Sequence, residues 1–394
     1  MKAIKLSDNT FWVGSIDWDL RNFHGYLTPR GSTYNAFLVI DKKITLIDTV
    51  KGCLFDQMFE RIKSIIDPAK IDYIVSNHVE MDHSGALPQI MKICPQATII
   101  ASPNGKSGLK MHYPDKWNYK TVLTGESISI GEKSLEFILT PMVHWPDSMA
   151  TYLTKDKILF PNDAFGQHIA SSERFDDEIG RDIAIEEAAK YYANIVLSYT
   201  PQVKIAMEHY LEKEIKIIAT SHGIIWRKYL ADIVPMYLRW ANNYIEEKAV
   251  VIYDTMWGST KLIAQTITDA FEDINVNAQL FNLQNTHISD IMTQLLTAKY
   301  ICVGSPTLNS SILPTVAGFL AYMKGLAPKD RIGLAFGSYG WGAQSIDIVE
   351  DTLKSCDFQM LDKIKVNYLP HKNILTDIGK NLKAQLKRRE LIPK

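Results

Sequence analysis

Six consecutive residues near position 80 contain four side chains of the kinds that bind metals. They read His78-Val79-Glu80-Met81-Asp82-His83 and follow a strand-like apolar run, Ile71–Ser76. Such a loop is unsuited to a core strand, because its polar side chains would be buried without partners. Imidazole and carboxylate groups at this density predict a metal site at the end of that strand.

Three further candidate ligands lie far along the chain, and each follows or ends a strand-like segment. They are His144, Asp163 and His222. Loops at the end of a sheet are where a scaffold gathers ligands that are distant in sequence. With the first loop they give four imidazoles and three carboxylates, which is enough for two metals if one carboxylate bridges. We predict Asp163 as the bridge, because it lies apart from the loop that supplies the first ligands.

A polar loop in the last third of the chain is suited to a phosphate. It follows a strand, precedes a helix and is rich in hydroxyl groups. Backbone N–H groups at a helix N-terminus bind anions, and the helix dipole favours them. The G-x-x-x-x-G-K-[ST] sequence of a P-loop is missing, which argues against a nucleoside triphosphate. The predicted binding residues of this loop are Thr255, Met256, Trp257, Gly258, Ser259 and Thr260.

Two more loops leave the strands that follow. In an open α/β sheet, ligands bind at the carboxyl ends of the strands, so these loops are predicted to complete the same site. They are Ser305, Pro306, Thr307, Leu308 and Asn309, and then Ser338, Tyr339, Gly340, Trp341 and Gly342. The loop from Thr255 to Thr260 resembles the flavodoxin phosphate loop, [TS]-x-T-G-x-T, although Trp257 replaces a hydroxyl residue and offers only its backbone N–H. This resemblance implies FMN, with Tyr339 and Trp341 over the flavin ring.

The elements that must position these loops change character near residue 248. Before it, the sequence predicts short strands such as Tyr34–Ile40 and Ile44–Asp48, then mixed strands and helices, and last a helix at Trp226–Glu247. Beyond it, five strands alternate with helical segments, which is typical of a doubly wound parallel sheet. We therefore predict two domains, residues 1–247 and 248–394.

The metal loop resembles the zinc loop of the metallo-β-lactamase superfamily, H-x-H-x-D-H, which is followed by a distant His, an Asp and a His. Here Glu80 replaces the second His, and H-x-E-x-D-H resembles the flavodiiron branch of that superfamily. The extra carboxylate favours iron over zinc. The resemblance covers essentially the whole chain and implies an α/β fold. An N-terminal metallo-β-lactamase-like αββα sandwich is expected, followed by a C-terminal flavodoxin-like doubly wound parallel sheet.

This resemblance implies two non-haem irons. Their implied ligands are His78, Glu80, Asp82, His144, Asp163 and His222. His83 is predicted as a further ligand, although in some members of the family its side chain is turned away from the metal. His24 lies in a segment that resembles a family stretch near the di-iron pocket, and it is predicted as a catalytic residue that donates a hydrogen bond there. The remaining histidines are predicted not to bind metal.

The implied reaction is the reduction of O2 to water, of NO to N2O, or of both. FMN carries two electrons and each iron one, so the reduced protein holds the four that O2 requires. In this family the flavin of one subunit serves the irons of another, which implies a head-to-tail homodimer or a dimer of dimers. The implied electron donor is a rubredoxin, with a deazaflavin as the alternative.

Composition limits the partners. Lys and Arg number 43 against 44 Asp and Glu, and a net charge of −1 argues against nucleic acid. No apolar run approaches the ~18 residues that a membrane span needs, and the first residues do not resemble a signal peptide. None of the four cysteines forms a C-x-x-C pair, so a zinc ribbon or a fused rubredoxin module is not expected. Cysteines without such pairing suit a reducing compartment, and a cytoplasmic location is expected.

Two other functions remain open from the sequence. One is a zinc hydrolase of the metallo-β-lactamase superfamily with an accessory flavodoxin domain, against which Glu80 argues. The other is an electron carrier that uses only its C-terminal domain and has an inactive metal site. The complete set of ligands argues against the second.

Overall fold

The computed structural model describes residues 1–114 and 116–390. The chain divides into two compact units, Met1–Asn242 and Asn243–Lys394. The predicted boundary between residues 247 and 248 falls in the first strand of the second unit, Glu246–Tyr253. Among the described residues, no helix is both long and apolar enough to cross a membrane.

The first unit is built on two main sheets. The first sheet has the order β1-β2-β7-β8-β9-β10-β11, with strands β1 Ile4–Ser7, β2 Thr10–Trp12, β7 Phe37–Val39, β8 Thr45–Ile47, β9 Tyr73–Val75, β10 Thr98–Ala101 and β11 Asn118–Thr121. The second has the order β12-β13-β14-β15-β16, with β12 Ser127–Ser129, β13 Ser134–Leu139, β14 Met149–Leu153, β15 Ile158–Phe160 and β16 Ile217–Ile218. Two small antiparallel sheets pair β3 Ser15–Asp17 with β6 Ser32–Tyr34 and β4 Asn22–Phe23 with β5 Tyr26–Leu27.

The alternating direction of side chains along the strands explains how these sheets pack. In β8 the side chain of Ile47 joins the core between the two sheets, whereas Leu46 joins the core beneath the helices on the outer face. In β9 the residues Val75 and Ile74 divide in the same way. Since successive side chains of a strand point to opposite faces, a strand with two apolar faces must be covered on both.

Helices complete the first unit. They are α1 Phe55–Lys63, α2 Met81–Ser84, α3 Leu87–Ile93, α4 Pro103–His112, α5 Asp176–Ile179, α6 Arg181–Tyr191, α7 Thr200–Leu211 and α8 Leu230–Ala241. The outer face of the second sheet is buried too, for example at Ile138, Leu159 and Ile218. The first unit is therefore the predicted αββα sandwich.

The helix predicted at Trp226–Glu247 was wrong at both ends. Trp226 pairs with Ile218 in an isolated antiparallel bridge, so the chain is still extended there. Helix α8 ends at Ala241, and Asn243 follows with a φ of 51°. Asparagine tolerates this left-handed conformation and commonly ends helices, which a count of apolar periodicity does not detect.

The second unit alternates strands and helices. Its elements are β17 Glu246–Tyr253, α9 Ser259–Glu272, β18 Asn277–Asn282, α10 Ile288–Leu295, β19 Ala298–Gly304, α11 Pro314–Leu326, β20 Ile332–Tyr339, α12 Gln344–Ser355, β21 Gln359–Met360, β22 Ile364–Asn367 and α13 Lys372–Glu390. The strand order is β18-β17-β19-β20-β21, β22 also pairs with β20, and all these pairs are parallel. The predicted doubly wound parallel sheet is confirmed.

Candidate metal centre and flavin site

The seven predicted metal ligands come together in the first unit, at the ends of strands from both of its sheets. The loop after β9 carries His78 and Glu80, and the short helix α2 that follows it carries Asp82 and His83. His144 lies between β13 and β14, Asp163 follows β15, and His222 follows β16. The fold thus gathers at one place side chains that are up to 144 positions apart, from residue 78 to residue 222.

One group of ligands surrounds Oδ2 of Asp163. His144 Nε2 lies 3.4 Å from this oxygen and 3.4 Å from Glu80 Oε2. His78 Nε2 lies 3.8 Å from the same Asp163 oxygen and 3.3 Å from Glu80 Oε2. We call His78, Glu80 and His144, with Asp163 Oδ2, the first ligand set.

A second group surrounds the other oxygen of Asp163. His83 Nε2 and His222 Nε2 lie 3.1 and 3.3 Å from Asp163 Oδ1. Asp82 stands between these two imidazoles, 3.4 Å from His83 Nε2 and 3.3 Å from His222 Nε2. We call Asp82, His83 and His222, with Asp163 Oδ1, the second ligand set. Asp163 therefore faces both sets with one oxygen each, which is the geometry of a bridging carboxylate.

Two of the imidazoles are oriented from behind by hydrogen bonds. His78 donates from Nδ1 to Asp147 Oδ2 at 3.0 Å, and His222 donates from Nδ1 to the backbone oxygen of Thr33 at 2.9 Å. A histidine that donates from Nδ1 presents a lone pair at Nε2, which is the form that binds metal. In both cases that nitrogen faces the centre of the cluster.

Unpartnered polar atoms test whether these residues fit metal ions. Both oxygens of Asp82, both ring nitrogens of His83 and Oδ2 of Asp163 are buried and have no hydrogen-bond partner among the described residues. Buried polar atoms normally find partners, so the convergence of these unpartnered atoms fits the binding of metal cations. A mixed imidazole and carboxylate set suits iron.

The electrostatics of the cluster agree with this interpretation. Burial lowers the pKa of the His222 imidazole, but the carboxylates of Asp163 and Asp82 raise it more, to about 10. Burial opposes the charge on Asp163, yet the neighbouring imidazoles, His83 first, hold the pKa of this carboxyl well below its usual range. The carboxylates therefore keep their negative charge and favour positive charge beside them. When a metal binds, the imidazoles must lose the protons at the nitrogens that ligate it.

His24 lies outside both ligand sets. Its Nε2 is 3.4 Å from Glu80 Oε1, and its side chain is 71% exposed. It lines a cavity of about 670 Å3 together with Glu80, Asp82 and His144. This volume is within the roughly 300–1,000 Å3 that is usual for ligand pockets. The structure thus places His24 between the cluster and solvent.

Sequence reasoning did not identify three residues that contact the ligands. Asp147 stands in the same short segment as His144, but it contacts His78, which lies on another loop. Thr33 acts through a backbone oxygen, which has no sequence signature. His168 is buried with its ring 5.0 Å from that of His222, and it belongs to neither ligand set. A signal for Asp147 was available, since ligating imidazoles usually donate to a carboxylate or carbonyl.

The second unit has a cavity of about 330 Å3 at the carboxyl ends of β17, β19 and β20. Nine predicted residues line it, and they come from all three predicted loops. They are Thr255, Met256, Trp257, Ser259, Pro306, Thr307, Ser338, Tyr339 and Gly340. Convergence of these loops at one end of a parallel sheet is the arrangement that the strand order predicts for a nucleotide-like ligand.

The start of α9 gives this cavity its anion-binding character. Gly258 precedes the helix with a φ of 91°, and no side chain caps the helix there. The first N–H groups of a helix have no partner within it and bind anions such as phosphate. Thr255 shapes the loop, since its Oγ1 accepts a hydrogen bond from the Gly258 N–H at 3.0 Å. None of the residues lining the cavity is charged, so backbone donors suit a phosphate here.

The other predicted flavin residues do not line the cavity. Thr260 and Ser305 are buried beneath the loops, and the Thr260 hydroxyl lies 3.1 Å from that of Ser338. Trp341 is 97% exposed and stands away from the wall. The other four predicted residues outside the lining are Gly258, Leu308, Asn309 and Gly342.

Two residues that line the cavity were not predicted, Tyr368 and Leu369. They follow β22, and the Tyr368 N–H donates to the backbone oxygen of Tyr339 at 2.7 Å. A signal was present, because the last of the five strands predicted beyond residue 248 spans Ile364–Tyr368. The carboxyl end of that strand should therefore have been included in the site.

Comparison with known proteins agrees with this pair of sites. The model of the ODP family beta lactamase matches residues 33–223, and the flavodoxin model matches residues 251–378. A nitric oxide reductase of Moorella thermoacetica is 44% identical and covers 91% of this chain and 92% of its own length. A rubredoxin-oxygen oxidoreductase of Megalodesulfovibrio gigas is 40% identical and covers 98% of this chain and 100% of its own. The crystal structure of a flavodiiron protein from Giardia intestinalis superposes with a TM-score of 0.95 at 31% identity, covering 98% of this chain and 97% of that one.

Proposed function

We propose, because the chain belongs to the flavodiiron protein family, that it reduces O2 to water, NO to N2O, or both. The chain is an oxidoreductase with FMN in its flavodoxin domain and a di-iron centre in its metallo-β-lactamase-like domain. One observation carries the proposal: the two oxygens of Asp163 face two separate sets of imidazole and carboxylate ligands. A pair of adjacent irons suits a reaction in which two oxygens, or two NO molecules, must lie side by side.

The first ligand set would hold one iron and the second set the other, with Asp163 shared. When bound, FMN supplies two electrons and the irons one each. The residues around the cluster orient the ligands and exclude water from it, since Asp163, His78 and His222 are fully buried. The cavity above Glu80 and His144 leaves one side open for a small molecule.

Both reactions consume protons, and we propose that His24 delivers them. We expect His24→Asn to lower turnover about tenfold. This loss is smaller than the effect of removing a buried general acid, because solvent reaches the exposed His24 position and can supply part of the protons. Iron and FMN content should not change, because the recorded contact of His24 with a predicted metal ligand is the single approach of its Nε2 to Glu80 Oε1, at 3.4 Å. Steady-state gas consumption, with iron and flavin analysis, measures both.

The matched control for His24 is His112→Asn. His112 lines the same cavity but packs near Tyr113 and contacts no ligand. An equal loss of turnover in both variants would mean that the shape of the cavity affects turnover, and that a proton held at His24 Nε2 does not.

We also propose the partners that the family resemblance implies. A rubredoxin is the expected electron donor, supported by the name of the Megalodesulfovibrio gigas relative, with a deazaflavin as the alternative. A head-to-tail homodimer, or a dimer of dimers, would bring the flavin of one subunit to the irons of another. The cytoplasmic location stays a prediction.

The test is a comparison of the two gases under one set of conditions. Consumption of O2 and of NO is followed with electrodes under otherwise anaerobic conditions, with the same excess of reduced rubredoxin. We expect turnover of at least one gas. Faster O2 loss without hydrogen peroxide would identify an oxygen reductase, and faster NO loss with N2O formation would identify a nitric oxide reductase.

Turnover of neither gas by protein that holds two irons and one FMN per chain would contradict the proposal. Protein that purifies with zinc in both ligand sets would instead revive the zinc hydrolase alternative, which the names of the relatives do not support.

A further inference from the structure

A buried carboxylate behind the first ligand set has no role in the function proposed above. Asp147 is 5% exposed, and its Oδ2 accepts from His78 Nδ1 at 3.0 Å and from the Val79 N–H at 2.8 Å. Its backbone is anchored as well, since Ser102 Oγ donates to the Asp147 carbonyl at 2.7 Å. The carboxylate is therefore held in one position against the imidazole.

The corresponding position behind the second ligand set is neutral. His222 donates from Nδ1 to the Thr33 carbonyl at 2.9 Å, and no carboxylate takes that place. Thr33 is fixed there, because its hydroxyl accepts from the Gly223 N–H at 2.7 Å. One imidazole is thus backed by a full negative charge and the other by a carbonyl dipole.

The other charges of the two sets balance. Each set has one carboxylate of its own, Glu80 or Asp82, and one oxygen of Asp163. Asp48 is a further buried carboxylate on the side of His83, but its oxygens accept from the backbone and side-chain nitrogens of Asn77, at 2.8 and 2.9 Å. Among the described residues, only Asp147 joins a carboxylate by a hydrogen bond to the outer nitrogen of a ligand imidazole.

A carboxylate that accepts from the outer N–H of an imidazole makes the inner nitrogen more basic and strengthens its donation to a metal. A stronger donor stabilises the more highly charged state of the ion that it binds. The first ligand set should therefore favour the ferric state more than the second does.

We propose that Asp147 makes the two metal positions unequal, so that in the half-reduced centre the ferric ion is held by the first ligand set and the ferrous ion by the second. This inference rests on the proposed function, since it requires two irons. The ion held by Asp82, His83 and His222 would then be reduced at the higher potential, and the ion held by His78, Glu80 and His144 at the lower potential.

The test is Asp147→Asn in the full chain. An amide oxygen in place of Oδ2 accepts the same two hydrogen bonds, so this variant removes the charge and keeps the contacts. The two reduction potentials of the di-iron centre are measured by titration, with electron paramagnetic resonance to detect the half-reduced state. We expect the second potential to rise more than the first, so that the half-reduced state exists over a narrower range.

A rise in the first potential with the second unchanged would overturn the assignment, as would no change in either. The matched control is Asp176→Asn, since Asp176 is a buried carboxylate that accepts backbone N–H groups and contacts no ligand imidazole. Its potentials should equal those of the unmodified protein.

A second measurement needs no variant. Mössbauer spectra of the half-reduced unmodified protein should show one ferric and one ferrous ion, and two equivalent ions of averaged valence would overturn the inference. Protein that never takes up two irons would overturn the proposed function and this inference together. Two irons with the wrong order of potentials would overturn this inference alone.

Discussion

Replacing Asp163 with alanine is expected to remove iron from both metal positions and to lower consumption of O2 or NO by more than about 100-fold, beyond the range typical of an outer-sphere partner. Asp163 alone contributes to both ligand sets, with Oδ1 3.1 Å from His83 Nε2 and Oδ2 3.4 Å from His144 Nε2. Alanine takes one ligand from each set at once. It also leaves a buried space where the negative charge of the carboxylate would reduce the repulsion between the two ions.

The measurement is iron and FMN content per chain, followed by gas consumption with excess reduced donor. FMN should stay at one per chain, because its site lies in the other compact unit. These measurements distinguish a di-iron reductase from a protein that carries electrons only through its flavin. Such an electron carrier would keep its electron-transfer rate in the Asp163→Ala variant.

A smaller change at the same place provides the control. Ser221 Oγ donates to Asp163 Oδ1 at 2.9 Å, and Ser221→Ala removes that hydrogen bond without removing a ligand. The loss of activity in Ser221→Ala should fall within the roughly 10–100-fold that is typical when a hydrogen-bond partner of a metal ligand is removed. If Asp163→Ala retained one iron per chain with partial activity, Asp163 would belong to a single ion and would not be shared.

The ligand set shows which parts of a site can be predicted from a sequence. The loop from His78 to His83 was identifiable because dense polar ligands cannot fill a core strand, and Asp163 was singled out by its distance from that loop. The structure brings these side chains together, with Asp163 between two groups of imidazoles. These are properties of side-chain type and spacing, which the sequence contains.

What lies behind the ligands could not be predicted in the same way. The partner of His222 is a backbone oxygen of Thr33, and every residue has one. Asp147 was visible beside His144, yet it serves His78, which is 69 positions away and comes near only in the folded sandwich. Periodicity likewise misplaced the end of the helix before the second unit, because a left-handed asparagine ended it.

The phosphate loop gives the second large expected effect. Gly258→Val is expected to weaken FMN binding by about 10- to 100-fold, since a β-branched residue in a left-handed conformation costs roughly 1–3 kcal/mol and each 1.4 kcal/mol is about tenfold in affinity. Gly258 has a φ of 91°, directly before the first residue of α9. No atom lies within 4 Å of an added Cβ, so conformation and not collision is the cause.

Because Gly258 belongs to the loop that is proposed to bind FMN, the cost should appear in the affinity for FMN. Without FMN, the loop of a valine variant can relax to a negative φ at the expense of the hydrogen bond that Thr255 Oγ1 accepts from the N–H of residue 258. Binding FMN must then restore the left-handed residue, so that the helix N–H groups again face the phosphate. The strain is therefore measured as lost affinity, by titrating FMN into flavin-free protein and following the quenching of flavin fluorescence.

Gly125→Val is the matched control, because Gly125 has a φ of 85° and also has no atom within 4 Å of an added Cβ. It lies in the first unit, in a turn where its N–H donates to the Phe137 carbonyl at 3.0 Å, whereas the flavin cavity belongs to the second unit. The same strain should there lower the free energy of unfolding and leave FMN affinity unchanged. Equal FMN affinity in the Gly258 variant and the unmodified protein would mean that the left-handed turn is not needed to hold the phosphate, and that the N-terminus of α9 is not its binding site.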